Sequence, residues 1–158
     1  MRVLGIDPSS TCCGVAIVDR GGLVDTSAWD KKPSLSAAAN LYDYYLWQCA
    51  YIRSMTPDMA CVEFLSVSRN MDSVRAVSHF QAAAVLACKS EGNMLVVEAR
   101  VTSARKVVLG RGNLSKEEAW KIVRERFPEH KFRRADKGGM DEADALVLAL
   151  AGPAIAER

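Results

Sequence analysis

Four carboxylates stand along the chain where predicted strands end or a predicted helix begins. Asp7 and Glu63 each end a short apolar stretch that predicts a buried strand, whereas Asp141 and Asp144 are three residues apart near the start of an apolar helix. Acids gathered at one point stay ionised together only if cations accompany them. Oxygen ligands without His or Cys suit Mg²⁺ or Mn²⁺, and two such ions about 4 Å apart favour in-line displacement at a phosphodiester.

Each of these acids also has a simpler interpretation. Asp141 could cap its helix, because a carboxylate near a helix N-terminus interacts favourably with the helix dipole. Asp7 could form a turn. Capping explains Asp144 less well, since it lies between Ala143 and Ala145 in an apolar helix. The residues alone leave open both a metal site and a set of separate caps and surface residues.

The elements that must position the acids form a series of strands and helices. The first three strands predict an antiparallel meander, and helices separate the later strands, which favours parallel pairing with right-handed crossovers. Asp7 and Glu63 would then emerge at neighbouring carboxyl ends, where sites on such sheets are usually built. We therefore expect an α/β fold with a five-stranded mixed sheet flanked by helices, in a single domain over residues 1–158. The predicted strands are 3–6, 14–18, 23–29, 59–62 and 94–97. The predicted helices are 34–55, 72–91, 101–109, 115–127 and 141–151.

Three stretches carry a family resemblance. They are G-I-D-P-S-S followed by G-V-A-I, C-V-E-F followed by R-N-M-D-S, and M-D-E-A-D-A-L-V-L-A-L. In this order, and over nearly the whole chain, they resemble the successive signatures of RuvC-type Holliday junction resolvases, which belong to the ribonuclease H-like superfamily. The resemblance implies a ribonuclease H-like fold and an endonuclease that resolves four-way DNA junctions by paired symmetric nicks.

The resemblance also implies a site and partners. The matched catalytic acids, which would bind two Mg²⁺ ions with Mn²⁺ as a substitute, are Asp7, Glu63, Asp141 and Asp144. The family acts as a homodimer on branched DNA in the cytoplasm of a bacterial or phage-infected cell, with branch-migration machinery as a further possible partner. The Ala-rich helix from Asp72 is our candidate for the dimer interface, although core packing explains its composition almost as well.

Basic residues are concentrated in the second half of the chain. Residues 69–137 contain 15 Lys and Arg against 8 Asp and Glu, whereas the rest contains 6 against 11. The stretch A-R-K-V-V-L-G-R-G-N-L-S-K resembles the family's basic segment, with Arg105 where the family usually has a lysine and Lys116 on a matching lysine. We expect both to contact or neutralise the scissile region; solvated helix faces are the alternative for the other basic residues. The further expected DNA contacts are Arg69, Asn70, Arg75, Lys106 and Arg111.

One position departs from the family pattern. Related resolvases commonly carry an aromatic residue shortly after the catalytic glutamate, where it wedges into the junction, and this chain has Ser66 there. Phe64 is the nearest aromatic residue, but strand alternation could turn it elsewhere. A nuclease of the same fold with broader specificity for flaps, forks or three-way DNA therefore remains an alternative.

Other classes of protein fit the sequence less well. An actin-like ATP-binding protein needs two such domains, and a non-catalytic junction-binding module would not need all four acids. We assign neither His79 nor His130 to catalysis. The five cysteines lack the spacings of a zinc site, and neither a secretory leader nor a membrane-spanning apolar run is predicted, so we expect a cytoplasmic protein.

Overall fold

A five-stranded mixed sheet forms the centre of the computed structural model, which describes residues 1–64, 71–92 and 94–158. The strand order is β3-β2-β1-β4-β5. The first three strands form an antiparallel meander, and β1, β4 and β5 pair in parallel, as the sequence predicted. The strands are β1 (Arg2–Asp7), β2 (Cys12–Asp19), β3 (Gly22–Asp30), β4 (Met59–Glu63) and β5 (Leu95–Ala99).

Helices cover both faces of this sheet. Because side chains alternate along a strand, Leu4 and Ile6 of β1 face one apolar cluster, while Val3 faces the other. The first cluster includes side chains of α1 and α2, and the second includes side chains of α3, α4 and α5. The helices are α1 (Ala37–Met55), α2 (Met71–Gly92), α3 (Val101–Leu109), α4 (Lys116–Arg126) and α5 (Gly139–Ala156), with a short 3-10 turn at Ala135–Lys137.

The helix ends show where local signals were sufficient. The predicted capping box of α4 is confirmed, because Ser115 and Glu118 bond reciprocally to each other's backbone N–H groups. The predicted start of α1 is wrong by three residues, because Ser36 is the residue that caps it. The predicted end of α5 is also wrong. The helix continues through Pro153 to Ala156, and Ile155 still packs against the second apolar cluster.

Two glycines let α5 lie directly on the sheet. A Cβ atom at Gly5 of β1 would stand 1.8 Å from the carbonyl oxygen of Ala145, and one at Gly14 of β2 would stand 2.2 Å from that of Asp141. Any larger side chain at either position would push the helix away. The absence of a side chain at these positions therefore sets how deeply the first turns of α5 sit.

Among the described helices, none combines the length and the apolar character needed to cross a membrane. All five cysteines are free thiols, and every one except Cys12 is buried.

Candidate active site

The structure brings the four predicted acids together at one edge of the sheet. Asp7 ends β1 and Glu63 ends β4, and these parallel strands are paired with Ile6 opposite Val62. The two acids are therefore neighbours, and Glu63 raises the pKa of Asp7. Asp141 and Asp144 project from the first turns of α5 toward the same point. The charge of Asp141 raises the pKa of Asp7, and the charge of Asp7 raises the pKa of Asp144.

Lys116 stands at the point where three of these carboxylates converge. Its Nζ donates to Asp141 Oδ1 at 2.8 Å and to Asp7 Oδ2 at 3.0 Å, and it lies 3.7 Å from Asp144 Oδ2. Burial alone would lower the pKa of Lys116, but the attraction of the three carboxylates outweighs burial and raises it. The capping box at Ser115 fixes the start of α4. Because Lys116 is the first residue of this helix, the cap also fixes the backbone position from which its side chain reaches the acids.

Asp141 lies in the first turn of α5 but is not its N-cap residue. The N-cap residue of α5 is Gly138, and no side chain caps this helix. The carboxylate of Asp141 instead accepts a hydrogen bond from Lys116.

Arg105 lies beneath the site and holds Asp144. Its Nε donates to Asp144 Oδ1 at 3.0 Å, its Nη2 donates to both carboxylate oxygens at 2.7 Å, and its Nη1 donates to the backbone oxygen of Leu114 at 2.5 Å. The exposed fraction of Arg105 is 4%. The expectation that Arg105 contacts DNA is therefore wrong for this conformation, because its donors are used inside the protein. Its charge is instead paired with the carboxylate of Asp144.

Burial is the main reason why Asp7 and Asp144 hold their protons more tightly than free carboxyl groups do. Burial raises the pKa of Asp7 well above its ordinary value, and Glu63 and Asp141 raise it further against the opposing effect of Lys116. Burial and the charge of Asp7 raise the pKa of Asp144 to about 6, although Arg105 and Lys116 oppose this. Four ionised acids against Lys116 and Arg105 would leave a formal charge of −2. Such a site takes up either protons or additional cations.

The donor set fits a hard divalent cation. All four candidate ligands supply carboxylate oxygens, which Mg²⁺ and Mn²⁺ prefer, and no His or Cys side chain is needed. In residues 1–64, 71–92 and 94–158, no group of three or more Asp, Glu, His or Cys side chains is arranged so that it could hold a metal ion as it stands. The ammonium of Lys116 contacts the acids directly, so a metal ion here would have to share or displace those contacts.

The remaining predicted DNA contacts are placed unevenly. Arg75 on α2, Lys106 on α3 and Arg111 in the loop after α3 are exposed. Arg69 and Asn70 lie outside the described residues, as does Ser66 at the expected wedge position.

An exposed aromatic side chain lies next to the acids. Phe64, directly after Glu63, is 45% exposed, and its backbone N–H donates to the carbonyl oxygen of Ala99 at 2.7 Å. Strand alternation therefore does not bury this ring.

The comparisons with known proteins agree with the fold. The family model described as "Crossover junction endodeoxyribonuclease RuvC" matches residues 3–152. A protein of that name from Chloroflexus aggregans is 31% identical over 154 residues, which cover 95% of this chain and 91% of the relative.

Two solved structures from Thermus thermophilus are also similar. RuvC itself superposes with a TM-score of 0.79 at 22% identity, covering 99% of this chain and 96% of that one. RuvC in complex with a Holliday junction substrate superposes with a TM-score of 0.80 at 20% identity, covering 99% and 95%. These likenesses confirm the predicted ribonuclease H-like fold, and together with the family match they show that this chain belongs to the RuvC family of crossover junction endodeoxyribonucleases.

Proposed function

We propose that this chain is a structure-selective DNA endonuclease that resolves four-way junctions by paired symmetric nicks. The observation that carries the proposal is the convergence of Asp7, Glu63, Asp141 and Asp144 on one buried, negatively charged point in a chain of the RuvC family. Carboxylates this close together repel one another when all are ionised, and a bound cation removes that repulsion. Residues 1–158 would act as one nuclease domain.

The four acids would hold two divalent ions, with Mg²⁺ as the physiological metal and Mn²⁺ as a substitute. Such ions, when bound, activate the attacking water and stabilise the leaving oxygen at a phosphodiester. The chain's own contribution is orientation. Arg105 donates to both oxygens of Asp144 and so fixes the orientation of that carboxylate. Lys116 keeps its ammonium beside Asp7 and Asp141.

Lys116 has a second task in this proposal. Its side chain is 45% exposed, so the ammonium can face solvent as well as the acids. If a bound metal took over its contacts with the acids, the same group would be free to contact the phosphate next to the cleaved bond. The lysine would thus pass from compensating the acids to neutralising the substrate.

The DNA would contact the surface around the site through exposed cations. Lys106 and Arg111 flank the end of α3, and Arg75 lies on α2. Phosphate contacts of this kind position a substrate without reading its sequence. Arg69 and Asn70 remain proposed contacts on the basis of their place in the sequence alone.

A homodimer would present two such sites to two opposed strands, which is the symmetry that paired nicks require. Branched DNA is the proposed partner, branch-migration machinery a possible second one, and the cytoplasm the proposed location. Broader activity on flaps, forks or three-way DNA is a second candidate, because Ser66 replaces the usual aromatic residue.

A cleavage assay with matched substrates tests the proposal. The protein is incubated with end-labelled four-way, three-way and linear DNA, in Mg²⁺, Mn²⁺ or a chelator. We expect paired nicks at symmetric positions on the four-way junction, no cleavage with the chelator, and no cleavage by Asp7→Asn, which should still bind the junction in Ca²⁺. Equal cutting of all branched substrates would favour the broader nuclease, and metal-independent cleavage would contradict the proposed site.

A further inference from the structure

Arg133, shortly before α5, connects two parts of the molecule. Its Nη1 donates to Asp30 Oδ2 at 2.7 Å, and its Nη2 donates to the backbone oxygen of Ala28 at 2.7 Å, so the guanidinium is bound to the end of β3. Its backbone N–H donates to Glu142 Oε2 at 2.9 Å, and its Nε lies 3.5 Å from Glu142 Oε1. One residue thus joins the sheet edge to the first turn of α5.

Glu142 is the buried partner of Arg133 in the first turn of α5. It follows Asp141 directly, and only 2% of it is exposed. Its carboxylate contacts Arg133, whereas that of Asp141 contacts Lys116. Adjacent residues of one helical turn are therefore anchored to different partners, and the rotation of that turn determines where Asp141 stands.

The beginning of α5 lacks a capping side chain. Gly138 is the N-cap residue, and no side chain caps the helix. The backbone packs tightly here, since a Cβ atom at Gly139 would stand 2.1 Å from the carbonyl oxygen of Arg133. The contacts between Arg133 and Glu142 add directional hydrogen bonds that join the first turn of α5 to the preceding segment.

We infer that Arg133 and Glu142 are positioning residues that set the orientation of Asp141 toward the metal site. The inference rests on the proposed function, because it assumes that Asp141 is a metal ligand. Residues that orient a ligand without touching the metal change metal affinity even when the fold is intact. Their loss should therefore weaken metal binding before DNA is present.

Mn²⁺ titration of the DNA-free protein, followed by electron paramagnetic resonance, tests the inference. We expect Arg133→Met and Glu142→Gln each to weaken Mn²⁺ binding about tenfold. We expect Arg133→Lys to recover part of this loss, because a lysine can still reach Asp30. A matched control is Arg53→Met, which removes an ion pair to Glu91 between α1 and α2 and should leave Mn²⁺ affinity unchanged. Circular dichroism establishes that each variant is folded.

The effect must also pass through Asp141. In an Asp141→Asn background, Arg133→Met should weaken Mn²⁺ binding much less than it does in the wild-type protein, since the ligand it orients is already lost. Unchanged Mn²⁺ affinity in folded Arg133→Met and Glu142→Gln would overturn the inference, as would equal losses with and without Asp141→Asn. If instead the wild-type protein neither bound Mn²⁺ nor cut junctions, the proposed function itself would fail.

Discussion

Arg105 grips both carboxylate oxygens of Asp144 in the protein interior, with Nε 3.0 Å from Oδ1 and Nη2 2.7 Å from Oδ2. A planar guanidinium can make this two-pronged contact, whereas an ammonium is a single point charge. The resemblance to RuvC-type resolvases would place a lysine at this position. The arginine therefore fixes the plane of one candidate ligand in a way that the lysine could not.

The first prediction concerns the stability of this buried pair. Arg105→Met should destabilise the protein by about 3–5 kcal/mol, because it leaves Asp144 buried without its partner. The double variant Arg105→Met/Asp144→Leu should regain most of that stability while remaining unable to cut DNA. Urea unfolding measures the free energies, and a double variant as unstable as the single one would contradict the assignment.

A milder change isolates the geometry of the pair. Arg105→Lys keeps the positive charge but cannot make the bidentate contact with Asp144. We therefore expect junction cleavage to fall at least tenfold (about 1.4 kcal/mol of transition-state stabilisation) in a protein that remains folded. Single-turnover cleavage rates measure this effect. Full activity of Arg105→Lys would mean that only the charge matters.

The second prediction concerns competition between Lys116 and metal. In Lys116→Met the acids lose the cation that contacts three of them, so the metal-free protein should be less stable than the wild type. Mn²⁺ should then raise the Tm of the variant more than that of the wild type, since no ammonium has to be displaced. Thermal unfolding with increasing Mn²⁺ checks this. Equal Tm gains in both proteins would show that lysine and metal do not compete.

The third prediction concerns pH in the absence of metal. The pKa of Asp144 is about 6 in the folded protein, against an ordinary value of 3.8, and that of Asp7 is also raised. The folded state therefore binds protons more tightly than the unfolded chain. The stability contributed by these groups is present in full below about pH 4 and is lost as pH rises through the folded-state pKa values.

Asp7→Asn exposes this contribution, because asparagine resembles the protonated acid. At pH 8 the metal-free variant should be more stable than the wild type, and the difference should shrink at pH 5. For a domain of this size, each kcal/mol corresponds to about 2–4 °C in Tm. A difference that stayed constant between the two pH values would argue against a raised pKa of Asp7.

The fourth prediction concerns the contact between α5 and the sheet. Gly14→Ala should destabilise the protein by about 3 kcal/mol or prevent folding, because its methyl group would meet the backbone of Asp141. Gly22→Ala is the matched control at the turn between β2 and β3. The nearest atom to a Cβ at Gly22 is the carbonyl oxygen of Asp19 at an ordinary 3.5 Å, so we expect a cost of less than about 1 kcal/mol. Chemical denaturation of both variants measures the difference.

The fifth prediction concerns the exposed cations around the site. Lys106→Gln and Arg111→Gln should each reduce the slope of log K for junction binding against log salt by about 0.9, the value for one lost phosphate contact. Arg20→Gln is the control, since Arg20 lies in the turn after β2, next to the start of β1 and away from Asp7. Binding is measured in Ca²⁺ at several salt concentrations. Slopes that match the wild type would remove these residues from the DNA surface.

The elements were predictable where the signal was local. The capping box at Ser115 and Glu118 marked the start of α4, and the apolar stretch before Asp7 marked β1, because caps and strand periodicity act over a few residues. The end of α5 was not predictable in this way. The helix predicted over 141–151 continues through Pro153 to Ala156, and Ile155 in this added part packs against the second apolar cluster.

The candidate site shows the same difference between what local sequence signals predict and what tertiary packing decides. The sequence by itself determined which acids stand at strand ends and at the start of α5, and hence that a cation-binding site was possible. Only the tertiary structure decided which cations compensate them. Lys116 contacts Asp7 across 109 positions and Arg105 contacts Asp144 across 39. The physical reason is that burial and long-range ion pairing depend on how helices pack on the sheet, and no local periodicity encodes that packing. The same packing turned Arg105 from an expected DNA contact into an internal support for Asp144.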